Sequence, residues 1–389
     1  MRLFADTTKL LHQQNHGQSK PVVFCLLTQN KLLLRKNIDM KPSDIYSLDN
    51  PSGMGNTTDR NGYASLPQRK GFSFRRFEGP ADYPAMVAII MSNMDDPNTY
   101  PTSLEDISAD YENMSESVPV RDLIFAFHDQ QPAAYCRTAC QWEESVNSWI
   151  YSSVLNVHHD FKHQGLEEVL LGWLESQAIA NHHAFNPGAN GLHHANTPET
   201  DQDRFDLLQK HGYRPARYFE NMKRDLEDIP DYPLPEGIIL RPATPSQFRQ
   251  VWDAGVEAFK DHWGATTPPE SEYQEWIANK NYFQPYLWKI AWDGDEIAGM
   301  VLNFINLVEN EERKRLRGYT ESISVRRPWR GKGIAKALIA RSMKMMKALG
   351  MEEVALGVDS ENLSGATKLY YALGYRSYSR SVVMRKPFE

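Results

Sequence analysis

Gly318-Tyr-Thr-Glu-Ser-Ile-Ser-Val325, followed closely by Arg330-Gly331-Lys332-Gly333-Ile334-Ala335, decides how this chain is read. The first run has the character of a strand, and the apolar stripe from Ile334 to Leu349 has helical spacing. A strand, a glycine-rich turn and a helix form an anion site. The turn's N–H groups and the positive end of the helix dipole converge on one point. Gly331 and Gly333 carry no Cβ, so the backbone there can approach a phosphate closely. Arg326, Arg327, Arg330 and Lys332 surround the turn with positive charge. The implied ligand is a pyrophosphate or a similar group. The spacing is neither a G-x-G-x-x-G dinucleotide fingerprint nor a P-loop, which needs a Gly-Lys-Ser/Thr ending.

A second block stands downstream: Asp359-Ser-Glu-Asn362, Ala366, Leu369-Tyr370 and Leu373-Gly374-Tyr375. Arg330-x-x-Gly333-x-Ala335 resembles the acyl-CoA pyrophosphate loop of the GNAT acetyltransferase superfamily, Q/R-x-x-G-x-G/A. The downstream block is similar to that superfamily's closing pattern, in which an Asn and an Ala precede Leu-Tyr-x-x-Leu-Gly-Phe. The two blocks occur in the family's order, and the resemblance covers residues 237–389.

The resemblance implies a mixed α/β sheet and acetyl-CoA as cosubstrate. Arg326, Arg330, Gly331, Lys332, Gly333, Ile334 and Ala335 would hold its pyrophosphate. Backbone groups of Ile323, Ser324 and Val325, with Asn362, would meet the pantetheine arm. Acetyl transfer to an amine needs a base for the ammonium proton and an acid for the departing thiolate. The resemblance assigns these to Glu321 and Tyr370. Asp261, His262 and Trp263 fall where the family forms its substrate lip, with Asp261 suited to an ammonium and Trp263 to an organic surface. The expected reaction is direct transfer to the primary amine of a small molecule, in a ternary complex without a metal. A peptide N-terminus or lysine acceptor is the alternative, and an acyl-CoA-binding regulatory protein without turnover is the rival from another class.

The chain also repeats itself. Gly71-Phe-Ser-Phe-Arg-Arg-Phe77 parallels Gly237-Ile-Ile-Leu-Arg-Pro242, and Leu123-Ile-Phe-Ala-Phe127 parallels Trp288-Lys-Ile-Ala-Trp292. Lys162-His-Gln-Gly165 parallels Arg330-Gly-Lys-Gly333, and His211-Gly-Tyr213 parallels Leu373-Gly-Tyr375. A period of about 160–170 residues is too long for a solenoid and indicates two copies of one domain. The expected organisation is a poorly ordered leader at 1–70, a first GNAT domain at 71–227, a proline-rich linker at 228–236 and a second GNAT domain at 237–389. Each domain is expected to be a mixed twisted sheet flanked by helices. Counting from the paired glycines sets Lys162 against Arg330, Glu167 against Ala335, Ser153 against Glu321 and Leu208 against Tyr370. Base, acid and small loop residues are missing together, so the first copy reads as degenerate. The tandem arrangement resembles the mycothiol synthase type within the superfamily.

Composition narrows the remaining options. A formal net charge of -7 argues against a broad nucleic-acid or anionic-membrane surface. Three cysteines over 389 residues provide no disulfide framework and fit a reducing compartment. No apolar run is long enough to span a bilayer, and the expected location is the cytoplasm. Histidines 158, 159, 163, 182, 183, 193 and 194 lack the spacing of a metal motif. The oligomeric state is left open.

Overall fold

The computed structural model describes residues 62–388, apart from 113, 115, 116, 280, 363 and 364. The first half contributes β1 (Ser73–Arg76), β2 (Leu123–His128), β3 (Gln131–Glu143), β4 (Ser148–Val157), β5 (Gly191–Pro198) and β6 (Arg214–Asp225). The second contributes β7 (Ile238–Leu240), β8 (Lys289–Asp293), β9 (Glu296–Phe304), β10 (Arg317–Val325), β11 (Glu353–Asp359) and β12 (Arg376–Pro387). The main helices are α1 (Tyr83–Met91), α2 (Leu104–Glu112), α3 (Leu166–Phe185), α4 (Gln202–Lys210), α5 (Phe248–Phe259), α6 (Glu270–Ala278), α7 (Ile334–Ala348) and α8 (Ala366–Ala372).

All twelve strands form one continuous sheet, in the order β1-β2-β3-β4-β5-β12-β6-β11-β10-β9-β8-β7. The repeat is visible in the pairings. β1 to β4 run antiparallel and β4 pairs parallel with β5; β7 to β10 do the same and β10 pairs parallel with β11. The last strands are exchanged. β6 pairs with β11 of the second half, and β12 pairs with β5 of the first. β6 and β12 also pair with each other, so they form the seam of the molecule.

Alternation along the strands sorts the helices into two layers. Ile124 and Ala126 of β2 pack with Leu166, Leu170 and Trp173 of α3, whereas Leu123 and Phe125 pack with Met86 and Ile89 of α1. In the second half Ala291 packs with Leu338 and Met343 of α7, and Ile290 and Trp292 pack with Val251 of α5. Tyr218 and Met222 lie on the same face of β6; the first meets Leu171 of α3 and the second the α7 cluster. Both long helices therefore cover one face. Burial of each large apolar side chain of α7 contributes roughly 1.5–3 kcal/mol. Gly318 admits that helix closely, since a Cβ there would stand 2.5 Å from the Met346 sulfur.

One organisational expectation changes and another gains detail. Residues 62–70 are not a loose leader. The Ala64 N–H donates to Gln177 Oε1 at 3.0 Å, and Gln177 Nε2 donates back to the Gly62 carbonyl at 2.5 Å. The rest of the expected leader, with Met40 and Met54, lies outside the described residues. The segment 228–236 lies along α7: Arg341 donates to the Tyr232 carbonyl at 2.7 Å, Lys344 pairs with Asp231 at 2.8 Å, and Ile229 and Leu234 pack on the second core.

Candidate active site

β10 carries the central feature of the site. Its pairing with β9 sets Glu321 opposite Leu302 and Ser324 opposite Met300, so one extra residue lies between them. This β-bulge puts Ser322 at a φ of 49° and takes Ser322 and Ile323 out of the β9 ladder. On its other side β10 pairs with β11 only over 317–319 against 353–355, after which the strands diverge. Glu321 lies at the start of this gap. Its Oε1 accepts the Gly357 backbone N–H of β11 at 3.0 Å. Ser324 and Val325 resume pairing with β9, where Gly299 permits close approach: a Cβ there would be 2.8 Å from the Ser324 carbonyl oxygen.

Beyond β10, the turn Arg327–Trp329 leads to Arg330, Gly331, Lys332 and Gly333, which caps α7. Gly331 and Gly333 have φ of 77° and 86°, values that side-chain-bearing residues adopt with strain. No atom lies within 4 Å of a Cβ built at either position. The loop mouth therefore has room for an anion, and the first N–H groups of α7, Ile334 and Ala335 among them, have no partner within the helix. These features fit an acyl-CoA pyrophosphate.

The cations are largely committed to the protein itself. Arg326 pairs with Glu257 at 2.7 Å and Glu296 at 2.5 Å. Arg330 donates to the Val325 and Ala258 carbonyls, each at 3.0 Å, and to Asp261 at 3.1 Å. Arg327 also pairs with Asp261. Lys332 is exposed. Arg326 and Arg330 thus build the loop and join it to α5. Asp261, expected beside an acceptor ammonium, lies with the loop arginines instead. Their hydrogen bonds, that from Arg327 foremost, hold its carboxyl below the usual range.

Tyr370 lies buried on α8. Burial, reinforced by the Glu321 charge, raises its phenol above the ordinary tyrosine value. Tyr370 therefore lies within electrostatic reach of Glu321. Tyr375 supports both: its ring stands 6.0 Å from that of Tyr370, and its hydroxyl shares a 2.7 Å hydrogen bond with Thr320, the neighbour of Glu321. Asn362 lies in the β11–α8 turn, where its N–H donates to the Asp359 carbonyl at 3.1 Å. His262 packs against Phe259 at 4.6 Å, and burial lowers its proton affinity. Trp263 lies 4.3 Å from the Arg385 guanidinium and 6.2 Å from the Phe219 ring, both on exchanged strands.

The first half has the same frame without these parts. β4 pairs with β3 from Val157 to Ser148 without interruption, so it has no bulge. Removing the extra β10 residue from the alignment places Val154, not Ser153, opposite Glu321. Val154 packs beside Phe125 and Tyr135 in an apolar cluster. Leu208 does stand at the Tyr370 position: Tyr213 N–H donates to the Leu208 carbonyl at 3.0 Å, as Tyr375 N–H does to Tyr370. In the loop, His163 N–H donates to the Glu167 carboxylate at 3.2 Å, and Arg69 donates to the Gln164 carbonyl.

The sequence reading missed the Gly357 N–H, Thr320, and the pairing of Arg217 with Asp359 at 2.7 Å. Each depends on which strands lie side by side. Only Asp359 had a local signal, its place in the downstream block. His193 and His194, adjacent in β5, face opposite layers: His193 meets Phe388 at 4.3 Å, and His194 accepts from Arg385 at 3.4 Å. Among the described residues no group of three or more His, Cys, Asp or Glu is placed to hold a metal. No helix among them is long and apolar enough to cross a membrane.

Comparison with known proteins points to the same fold. The profile of the Acetyltransferase (GNAT) family matches residues 249–375. Mycothiol acetyltransferase of Geodermatophilus obscurus is 27% identical over 190 residues, which cover 46% of this chain and 59% of the relative. N-alpha-acetyltransferase MAK3 of Arabidopsis thaliana is 34% identical over 94 residues, covering 24% of this chain and 47% of that protein. A crystallised GCN5-related N-acetyltransferase from Sphaerobacter thermophilus superposes with a TM-score of 0.61 at 27% identity, covering 83% of this chain and 97% of the other. A tandem GNAT protein from the clavulanic acid biosynthesis pathway superposes with a TM-score of 0.59 at 13% identity, covering 81% and 98%. With the glycine loop, the bulged β10 and the duplicated strand order, these matches place a GNAT acetyltransferase domain at residues 249–375 in a chain whose fold is similar to that of tandem GNAT proteins.

Proposed function

We propose that the second half transfers an acetyl group from acetyl-CoA to the primary amine of a small molecule, directly, in a ternary complex. The observation that carries this reading is the placement of Glu321 and Tyr370. The carboxylate lies in the gap between β10 and β11, the phenol is buried on α8, and the glycine loop opens beyond the same strand. Bound at the loop, acetyl-CoA would supply the acyl group as a thioester. Glu321 takes the ammonium proton, through a water, so that the amine can attack. Tyr370 keeps its proton and gives it to the departing sulfur. Backbone N–H groups at the bulge, from Ile323 to Val325, are the candidates for holding the carbonyl oxygen and the pantetheine arm. Asn362, in the β11–α8 turn, is a further candidate to meet that arm.

The first half supports the site without turning over substrate itself. Val154 and Leu208 replace base and acid, and the Glu167 carboxylate meets a loop N–H that would otherwise face an anion. A small acceptor is favoured because the loop after α1 and the helix α2 approach the second half: Arg313 donates to the Met94 carbonyl at 2.7 Å, and Asn281 donates to Asp106 at 3.0 Å. A peptide N-terminus is the second reading, motivated by the similarity to the Arabidopsis thaliana N-alpha-acetyltransferase. The test is acetyl-CoA-dependent thiol release with amino sugars, polyamines, amino acids and short peptides. Turnover with a non-peptide amine alone supports the first reading, and turnover with peptides alone supports the second. CoA binding without turnover on any amine would favour a non-catalytic binder.

A further inference from the structure

The segment 260–265, just after α5, touches two parts of the molecule. The Asp261 carboxylate accepts from Arg330 at 3.1 Å and from both Nε, at 3.2 Å, and Nη2 of Arg327. Two residues on, the Trp263 indole rests against Arg385 of β12 and Phe219 of β6. Arg385 is itself fixed by Glu143 at 2.5 Å, deep in the first half. One short segment thus connects the phosphate loop to the exchanged strands.

We propose that Asp261 is a positioning residue that acts as a resident anion of the phosphate loop, displaced by the donor's pyrophosphate, and that its displacement releases Trp263 from the exchanged strands. The inference rests on the donor reading above. A carboxylate and a phosphate compete for the same guanidinium N–H groups, and a pyrophosphate brings more charge and more acceptor oxygens. The Asp261 pairs are the exchangeable ones. Asp261 and Arg327 have side-chain exposures of 42% and 66%, so water screens their attraction. Arg330 keeps two backbone carbonyls as partners if Asp261 leaves, and Arg326 keeps Glu257 and Glu296. Arg327 is the cation whose side-chain bonds run to Asp261. Donor binding would then loosen the segment that the sequence reading gives to the substrate lip.

The experiment uses the full chain with CoA as the probe. Calorimetry measures CoA affinity, and hydrogen exchange follows the backbone of 260–268. Exposed ion pairs of this kind predict that Asp261→Asn binds CoA about threefold tighter or more. CoA should speed exchange at 260–268 in the wild type, and D261N should show that faster exchange before CoA is added. In an Arg327→Gln background, D261N should add much less, because the competing pair is already gone. Weaker CoA binding by D261N would overturn the proposal, showing that the carboxylate prearranges the arginines. So would slower exchange at 260–268 on CoA addition, or unchanged affinity in D261N. Failure of the wild type to bind CoA is a different result and would remove the donor reading itself.

Discussion

Glu321 Oε1 accepts the Gly357 N–H across the gap where β10 and β11 part, at 3.0 Å. The parallel ladder stops at Tyr319 and Ala355, so the carboxylate serves the next N–H along β11 in place of a backbone carbonyl. This bond fixes one carboxylate oxygen between the strands. It also makes a clean substitution available. In Glu321→Gln the amide oxygen can keep the Gly357 bond, so stability should change by no more than about 1 kcal/mol. Turnover should fall about 10²- to 10⁴-fold, with CoA affinity unchanged. Unchanged kcat in E321Q would remove the base assignment.

Tyr370 makes a different prediction. Burial raises its phenol above the ordinary tyrosine value, so the proton-donating form persists to higher pH than for a free tyrosine. With the folded-state affinity for the proton increased, kcat should show no decline from Tyr370 ionisation below about pH 10. Tyr370→Phe should lower kcat about 10²-fold while leaving CoA affinity intact. A pH profile to 10.5 for both proteins, on an acceptor already found, measures this. A Tyr370-dependent fall in activity near pH 8 would contradict the buried, protonated phenol.

The glycine loop, its flanking strand and helix, and the Leu-Tyr block were legible because each is local: their residues are sequence neighbours with a fixed spacing. The duplication was legible for the same reason. The exchange of β6 and β12 was not, because nothing in the composition of Arg214–Asp225 says that its partners are Glu353–Asp359. The bulge was hidden too. It sits at Ser322, a residue type with no preference for positive φ, and one unseen residue moved the first-half alignment from Val154 to Ser153. Asp261 was read from its neighbours in sequence, but its partners lie at 327 and 330.

Gly333 tests the loop directly. Its φ of 86° at the start of α7 disfavours any side chain, while the space around it is open. Gly333→Ala should cost about 1–2 kcal/mol of stability through backbone strain alone. CoA affinity should fall more than tenfold, because a relaxed loop no longer aims its N–H groups at one point. A thermal melt and a CoA titration separate the two effects. Intact CoA affinity in G333A would argue that the pyrophosphate binds elsewhere.

Two buried histidines give the protein an acid limit. His193 and His194 are each lowered to about 3, mainly by burial, with Lys386 and Arg385 adding to it respectively. Unfolded, each regains a value near the ordinary 6.5. Between these limits the unfolded chain binds more protons than the folded one. Their contribution to stability is complete above about pH 6.5 and falls as pH drops towards 3, by up to about 1.4 kcal/mol per unit for each histidine. Urea denaturation at pH 7 and pH 5 should show this loss, and His193→Gln with His194→Asn should flatten it. Equal slopes in the wild type and the double variant would refute the assignment.

The exchanged strands predict that the halves cannot fold apart. β12 fills the place between β5 and β6, pairing 381–387 with 192–198. Its end places Phe388 against Tyr151, His182 and His193, over Gly191, where a Cβ would lie only 2.5 Å from the ring. Residues 62–227 alone would lose this strand and leave β5 as an open edge. Residues 228–389 alone would lose β6, exposing the edge of β11. Open edges of this length invite aggregation. Neither half expressed alone should give a soluble, cooperatively unfolding product, whereas the full chain should unfold in one transition. Phe388→Ala, removing a half-buried ring, should lower stability by about 2 kcal/mol across that whole transition rather than in the second half alone. Two resolved transitions, with F388A moving just one, would mean that the halves are independent and the seam energetically minor.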